Sequence, residues 1–238
     1  MCNLKSLLIE LMHEWGMIPS DKELNQFDEY ARLLTDRNRN MNLIGNADPE
    51  EIAIRHFMDS LSIERMGLDE NASLIDIGTG AGFPGIPIKI MRPDIKLTLL
   101  DSHGKRMDFL REVTEALGFK NVTVIKARAE ELSLAEDYRE HFDYACSRAV
   151  AGLNILSELC LPFVRVDGLF CAMKSIDISE EEQAAKRTVG IMGGSCIEPY
   201  RYTLPRRDAN LQIFRIRKIK RTPKGYPRRY AKIKQSPL

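Results

Sequence analysis

The residues most suited to binding a ligand or to catalysis are a carboxylate and a set of glycines that follow it at alternate positions. Asp76 precedes Gly78, Gly80 and Gly82 in the stretch SLIDIGTGAGFPGIP. Glycines concentrated in one loop indicate a backbone that must adopt positive φ or approach a ligand closely. Farther along, Asp101 ends the apolar run KLTLLD, where a carboxylate can accept hydrogen bonds from ribose hydroxyl groups. Together these features predict a site for a ligand that contains a nucleoside.

Two cofactor classes fit a glycine loop of this kind. Starting from Gly80, the spacing G-x-G-x-x-G matches the dinucleotide fingerprint of NAD-dependent Rossmann proteins. Starting from Asp76, the loop matches the one with which Rossmann-like methyltransferases hold S-adenosyl-L-methionine, where the carboxylate reaches toward the cationic amino acid part of the cofactor. Phe83 and Pro84 favour the methyltransferase interpretation, because bulky residues are unwelcome where a pyrophosphate must approach a helix N-terminus.

The elements that must position these residues predict an α/β fold. Five short apolar runs of strand type, SLIDIG, KLTLLD, VTVIKA, FDYACS and LFCAMK, alternate with helical segments. Such alternation is typical of a parallel sheet covered by helices on both faces. The last two runs, SCIEPYRYTL and QIFRIRKI, have no good helix between them, so we expect a hairpin at the edge of the sheet.

The residues before this sheet are predicted to be helical. SDKE at Ser20 is a capping box, and Asp48 with Pro49 marks the start of another helix. The predicted organisation is therefore N-terminal helices that pack on the core (residues 1–70), a Rossmann-like methyltransferase domain (71–219) and a basic C-terminal tail (220–238).

Composition narrows the classes of protein. The chain has 238 residues, of which 44% are hydrophobic and 29% charged, and no apolar run is long enough to suggest a membrane span or a signal peptide. Its five cysteines are scattered without metal or redox spacing, so we expect buried free thiols, no metal site and a cytoplasmic location. Residues 209–238 contain ten Lys and Arg and no Asp or Glu, which indicates a polyanionic partner.

Six motifs in a fixed order then point to one family: RHFMDSL, DIGTGAGFPGIPI, LLDSHGKRMDFL, ARAEE, SRAVA and YPRR. From about Asn40 to its end, the chain resembles the bacterial small-subunit rRNA guanine-N7 methyltransferases, the glucose-inhibited division protein B family. The resemblance implies a seven-stranded Rossmann-like sheet with an N-terminal helical extension and S-adenosyl-L-methionine as the methyl donor. It also implies that the acceptor is N7 of one guanine in 16S rRNA, as free rRNA or in the small-subunit particle. We expect a monomer.

The family's motifs also imply site residues. Gly78 and Phe83 would contact the cofactor, the pair Ala129–Glu130 would flank its adenine, and Arg148 would lie beyond the fourth strand. These positions follow strands whose carboxyl ends bind ligands in open α/β sheets. The complete predicted cofactor site comprises Asp76, Gly78, Gly80, Phe83, Asp101, Ala129, Glu130 and Arg148.

Arg148 is also the predicted catalytic residue. The segment SRAVAG lacks the Asn or Asp, prolines and aromatic residue typical of exocyclic amine methylation, and it lacks the Pro-Cys pair of cytosine-C5 methylation. Guanine N7 has an available lone pair and needs no base, so catalysis would consist of alignment. An Arg at this place can donate to guanine O6 or hold a phosphate.

Arg228, Arg229 and Lys174 are the predicted RNA contacts. Lys174 is followed by Ser175, where the family commonly has glycine, so the turn there must bend in another way. The roles of the RHFMDSL residues Arg55, His56 and Asp59 stay open. Three alternatives also stay open: a small-molecule methyltransferase, an NAD-dependent Rossmann protein, and an RNA-binding factor without catalytic activity.

Overall fold

The computed structural model describes residues 3–175 and 179–238. Its first part is helical, as predicted. The capping box at Ser20 is present, and the Asp48 side chain caps a helix that has Pro49 at its start, which confirms both helix starts. A seven-residue π-helix then runs directly into the next α-helix. These elements are α1 (Leu4–Glu14), α2 (Asp21–Met41), α3 (Pro49–Glu51), the π-helix (Ile52–Met58) and α4 (Asp59–Arg65).

A seven-stranded sheet in the order β3-β2-β1-β4-β5-β7-β6 forms the centre of the fold. The pairs among β1 to β5 are parallel, whereas β7 runs antiparallel to both β5 and β6. The predicted hairpin is thus confirmed, with its first strand at the edge. The strands are β1 (Ser73–Ile77), β2 (Lys96–Asp101), β3 (Val122–Lys126), β4 (Phe142–Arg148), β5 (Val164–Ser175), β6 (Gly194–Thr203) and β7 (Asn210–Lys218).

Helices cover both faces of this sheet. One of them, α9, was not among the predicted helical segments, because its buried stripe is narrow and consists of Ala185, Thr188 and Val189. The helices are α5 (Gly85–Met91), α6 (Gly104–Ala116), α7 (Ala129–Leu132), α8 (Leu153–Cys160), α9 (Ser179–Ile191) and α10 (Tyr230–Gln235), with a 3₁₀ turn at Leu161–Phe163.

Alternate residues of the strands point into two separate cores, as expected for a sheet buried on both faces. Leu74 of β1 packs with the N-terminal helices, α5 and α6, whereas Ile75 and Ile77 pack with α8, α9 and α10. The N-terminal helices are therefore part of a continuous core with the sheet. The C-terminal segment is also anchored, because Ile233 of α10 is fully buried.

Three of the cysteines, Cys146, Cys160 and Cys171, are free and buried, as predicted, and Cys196 is half-buried. Cys2 lies outside the described residues. Within residues 3–175 and 179–238, no helix is both long and apolar enough to cross a bilayer.

Candidate cofactor and base site

The glycine loop after β1 has the backbone geometry that its sequence predicts. Gly78, Gly80 and Gly82 adopt φ values of +71°, +60° and +109°, a region that L-residues with a side chain rarely occupy. A Cβ atom at Gly78 would lie 2.5 Å from the side chain of Val150, and one at Gly82 would lie 2.8 Å from the Tyr30 hydroxyl oxygen. The loop can therefore pass close to its neighbours only because side chains are missing.

Asp76 lies beneath this loop and is fully buried. Its Oδ2 atom accepts hydrogen bonds from Thr79 Oγ1 (2.7 Å) and from the Gly85 amide (2.9 Å), whereas Oδ1 is buried with no hydrogen-bond partner among the described residues. Burial raises the pKa of Asp76 to about 6, although the two hydrogen bonds oppose this shift. In this structure the carboxylate braces the start of the loop and the first turn of α5.

A cleft of about 690 Å³ opens at the carboxyl ends of the first four strands, where an open α/β sheet binds its ligand. Asp76 is the one member of the predicted cofactor set that does not line it. The residues of that set that do line it are Gly78, Gly80, Phe83, Asp101, Ala129, Glu130 and Arg148.

Asp101 joins the end of β2 to the glycine loop. Its Oδ1 accepts from the His103 amide at 2.9 Å, and its Oδ2 accepts from the Gly80 amide at 3.1 Å. Burial by itself would raise the pKa of Asp101, but these hydrogen bonds outweigh it, and the pKa lies below the usual value. His103 Nδ1 also lies 2.9 Å from Oδ1, and Arg106 Nη1 lies 3.5 Å from Oδ2. The carboxylate therefore stays ionised at neutral pH.

Arg148, at the end of β4, is held by three groups from the RHFMDSL motif. Its Nη1 donates to Asp59 Oδ2 (2.9 Å) and to the Arg55 carbonyl oxygen (3.0 Å), and its Nη2 lies 3.1 Å from His56 Nδ1. The guanidinium carbon lies 4.9 Å from the centre of the Phe83 ring, within cation–π range. The predicted catalytic cation is thus largely committed to partners in the protein.

The π-helix explains how a backbone carbonyl can take part in this cluster. The Asp59 amide donates to the carbonyl oxygens of Ile54 and His56, and so bypasses that of Arg55. The Arg55 oxygen accepts instead from Arg148. Single π-helical turns inside α-helices are frequent at functional sites. No periodicity in the sequence predicts this π-helix.

His56 completes the wall of the cleft and stacks on Phe83, with ring centres 4.8 Å apart and planes 18° apart. Burial, together with the positive charge of Arg148, lowers the pKa of His56 to about 4. The imidazole is therefore neutral at physiological pH. The structure brings His56, Arg55 and Asp59 together with Arg148, a grouping that could have been suspected only from their shared motif.

The three predicted RNA contacts have different surroundings. Arg229 is exposed. Arg228 forms a two-pronged ion pair with the buried carboxylate of Glu158, and Lys174 donates to Glu181 Oε1 at 2.6 Å. Lys174 Nζ also donates a hydrogen bond to the Ala151 carbonyl oxygen (2.8 Å) and so helps to hold the segment after β4 in place. Their contact with RNA stays a prediction.

The fold and the cleft at the carboxyl ends of the strands define a class, the Rossmann-like α/β proteins. Solved structures share the fold at low sequence identity: a SAM-dependent methyltransferase from Aquifex aeolicus (TM-score 0.52, 18% identity, 71% of this chain and 93% of that chain) and TrmN from Thermus thermophilus (TM-score 0.52, 15% identity, 68% and 48%).

Sequence relatives identify the family. The family model for rRNA small subunit methyltransferase G, GidB, matches residues 23–196. Proteins named ribosomal RNA small subunit methyltransferase G from Acetivibrio thermocellus (44% identity, 99% of this chain and 97% of the relative) and Alkaliphilus metalliredigens (43%, 98% and 98%) align along nearly the whole length. The chain belongs to this family, which confirms the resemblance, the fold and the methyltransferase class expected from the sequence.

Proposed function

We propose that the chain transfers a methyl group from S-adenosyl-L-methionine to N7 of one guanine in the 16S rRNA of the small ribosomal subunit. The observation that carries this proposal is the alignment, over 98–99% of the chain, with relatives named as methyltransferases of small-subunit ribosomal RNA. When bound, S-adenosyl-L-methionine supplies an electrophilic methyl group on a positively charged sulfur.

The cleft supports this choice of cofactor. Its volume of about 690 Å³ lies in the usual range for sites of small ligands. Asp101 would accept from the ribose hydroxyl groups, Ala129 and Glu130 would flank the adenine, and the side-chain-free loop at Gly78 and Gly80 would pass beneath the ligand. The buried carboxylate of Asp76 adds negative potential under that loop.

The opposite end of the cleft suits an acceptor that attacks with an existing lone pair. The carboxylates that line the cleft, Asp101 and Glu130, lie at the ends of β2 and β3. Asp59, near β4, is already bound by Arg148 and by the Tyr202 hydroxyl (2.7 Å). Guanine N7 needs no proton removed, so alignment can supply most of the rate, which in well-oriented systems is worth about 7–11 kcal/mol. Arg148 would act by holding this end of the cleft in shape.

The basic C-terminal region would follow the rRNA phosphates, which makes binding strongly dependent on salt. We assign the stronger phosphate contact to Arg229, because the charges of Arg228 and Lys174 are already neutralised by Glu158 and Glu181. We also infer that the enzyme acts as a monomer in the cytoplasm, where bacterial ribosomal subunits are assembled.

Methyl transfer from labelled cofactor tests the proposal. The purified chain is incubated with small-subunit particles and with protein-free 16S rRNA, both lacking this methyl group. The RNA is then cleaved chemically at N7-methylguanine and mapped by primer extension. We expect a single cleavage position. An Asp101→Ala variant serves as the control with an impaired cofactor site.

Three other outcomes would replace the proposal. Binding of S-adenosylhomocysteine without label in any RNA would point to a small-molecule substrate. Stabilisation by NAD but not by S-adenosylhomocysteine would point to a dinucleotide enzyme. Tight rRNA binding without turnover would indicate an RNA-binding factor without catalytic activity.

A further inference from the structure

His56 lines the cleft and has an N–H group that no other described residue uses. Its Nδ1 atom lies 3.1 Å from Nη2 of Arg148, and because a guanidinium can only donate, Nδ1 must be the acceptor. A neutral imidazole with an accepting Nδ1 carries its proton on Nε2. Within the described part of the chain, Nε2 has no hydrogen-bond partner, and His56 lines the cleft. Arg148 therefore selects the tautomer and leaves one N–H unpaired.

This donor lies at the end of the cleft away from the predicted ribose and adenine contacts. Asp101 ends β2 and Glu130 follows β3, whereas His56 is bound to Arg148 at the end of β4. In the strand order β3-β2-β1-β4, β1 separates these two groups. Adjacent strands lie about 4.8 Å apart, so β2 and β4 are separated by roughly 10 Å. With the nucleoside of the cofactor on the β2 and β3 side, as proposed above, the β4 side is left for the methyl acceptor.

Guanine and adenine differ at the position beside N7. Guanine carries the acceptor O6 there, whereas adenine carries the donor N6 amino group. From this chemistry and from the position of the unpaired N–H, we propose that His56 is the residue that selects guanine, by donating its Nε2–H to O6 of the acceptor base while N7 stays free. This inference rests on the function proposed above and adds the residue that reads the base.

The charge state of the cluster favours a neutral base over a phosphate or carboxylate as the partner of His56. An anion would be bound best by an imidazolium, but burial and the nearby Arg148 lower the pKa of His56 and keep the ring neutral. Arg148 itself is paired with Asp59, which balances its charge. Methylation at N7 leaves the guanine positively charged, and a neutral donor does not repel that product.

Arg148 and Phe83 act as positioning residues for this donor. Arg148 sets the tautomer through Nδ1, and Phe83 sets the ring plane through the 4.8 Å stack. The substitution His56→Phe keeps an aromatic ring on Phe83 but removes the donor. His56→Gln places an amide donor near the former position of Nε2. This pair of variants separates donation from ring packing.

The test combines these variants with a change on the base. Small-subunit particles are reconstituted with guanine or with 2-aminopurine, which lacks O6, at the methylated position, and single-turnover rates are measured. For the wild type we expect guanine to react roughly tenfold faster, the size of one base-reading hydrogen bond. For His56→Phe the guanine rate should fall to about that of 2-aminopurine, and the ratio should approach one. His56→Gln should restore part of the ratio.

Binding of S-adenosylhomocysteine, measured by calorimetry, is the second readout and also shows that each variant is folded. We expect dissociation constants within about twofold of the wild type for both variants. An unchanged tenfold base ratio in His56→Phe would overturn the inference. So would loss of S-adenosylhomocysteine binding with that ratio preserved, since His56 would then serve the cofactor. Failure of the wild type to methylate guanine particles would instead refute the proposed function itself.

Discussion

Arg228 and Arg229 are adjacent in a basic segment, yet the structure predicts that removing Arg228 lowers stability, whereas removing Arg229 lowers rRNA affinity. Arg228 donates to Glu158 through Nε (2.8 Å to Oε1) and Nη2 (2.7 Å to Oε2), and its backbone amide also donates to Oε1 (2.9 Å). The side chain of Glu158 is 1% exposed and that of Arg228 is 14% exposed. This ion pair joins the C-terminal segment to α8 in the interior of the protein.

The substitution Arg228→Ala would leave the Glu158 carboxylate buried with one backbone hydrogen bond. Breaking a buried ion pair from one side costs about 3–5 kcal/mol, because the remaining charge is desolvated and unpaired. For a protein of this size, 1 kcal/mol shifts the Tm by about 2–4 °C, so the Tm should fall by roughly 6–20 °C. Thermal unfolding followed by circular dichroism measures this directly.

The neighbouring substitution Arg229→Ala is the matched control. Its side chain is exposed, so the free energy of unfolding should change by less than about 0.5 kcal/mol, while rRNA affinity and its salt dependence should both decrease. In Arg228→Ala/Glu158→Gln the buried charge is gone, and much of the lost stability should return. A Tm for Arg228→Ala within about 2 °C of the wild type would refute this reasoning.

Three further predictions concern the cleft, the buried carboxylate beneath its loop and the end of β5. Asp76 ionises above about pH 3.8 in the unfolded chain but only above about pH 6 in the folded chain, so its carboxylate reduces stability increasingly from pH 4 to 6. The gain in Tm from the substitution Asp76→Asn should therefore grow over that window. A gain that does not change with pH would contradict this prediction. Asp101→Ala should weaken S-adenosylhomocysteine binding by roughly 10-fold or more in calorimetry, with Glu115→Ala as an exposed control. Lys174→Ala should cost about 1–2 kcal/mol in urea unfolding by releasing Glu181; an unchanged midpoint would count against this.

Local sequence patterns were sufficient to predict the strands, the glycine loop and the two helix starts. The capping box at Ser20 and the loop after Asp76 depend on residues a few positions apart, so their spacing in the sequence carries their geometry. The cleft could also be placed from the sequence, because the carboxyl ends of parallel strands meet at one edge of a sheet. Helix α9 was not predicted from the sequence, because its exposed surface is polar and its buried stripe is narrow.

What the sequence by itself determined about this protein is its family, its α/β fold and seven of the residues that line the cleft at the carboxyl ends of the strands. The tertiary structure decided what the charged residues do. Arg148 meets His56 and Asp59 across 92 and 89 positions of the chain, and Arg228 meets Glu158 across 70. The sequence alone does not identify a partner for either arginine. Folding places one in the wall of the cleft and the other in a buried ion pair, since partners so far apart are chosen by packing and not by local spacing.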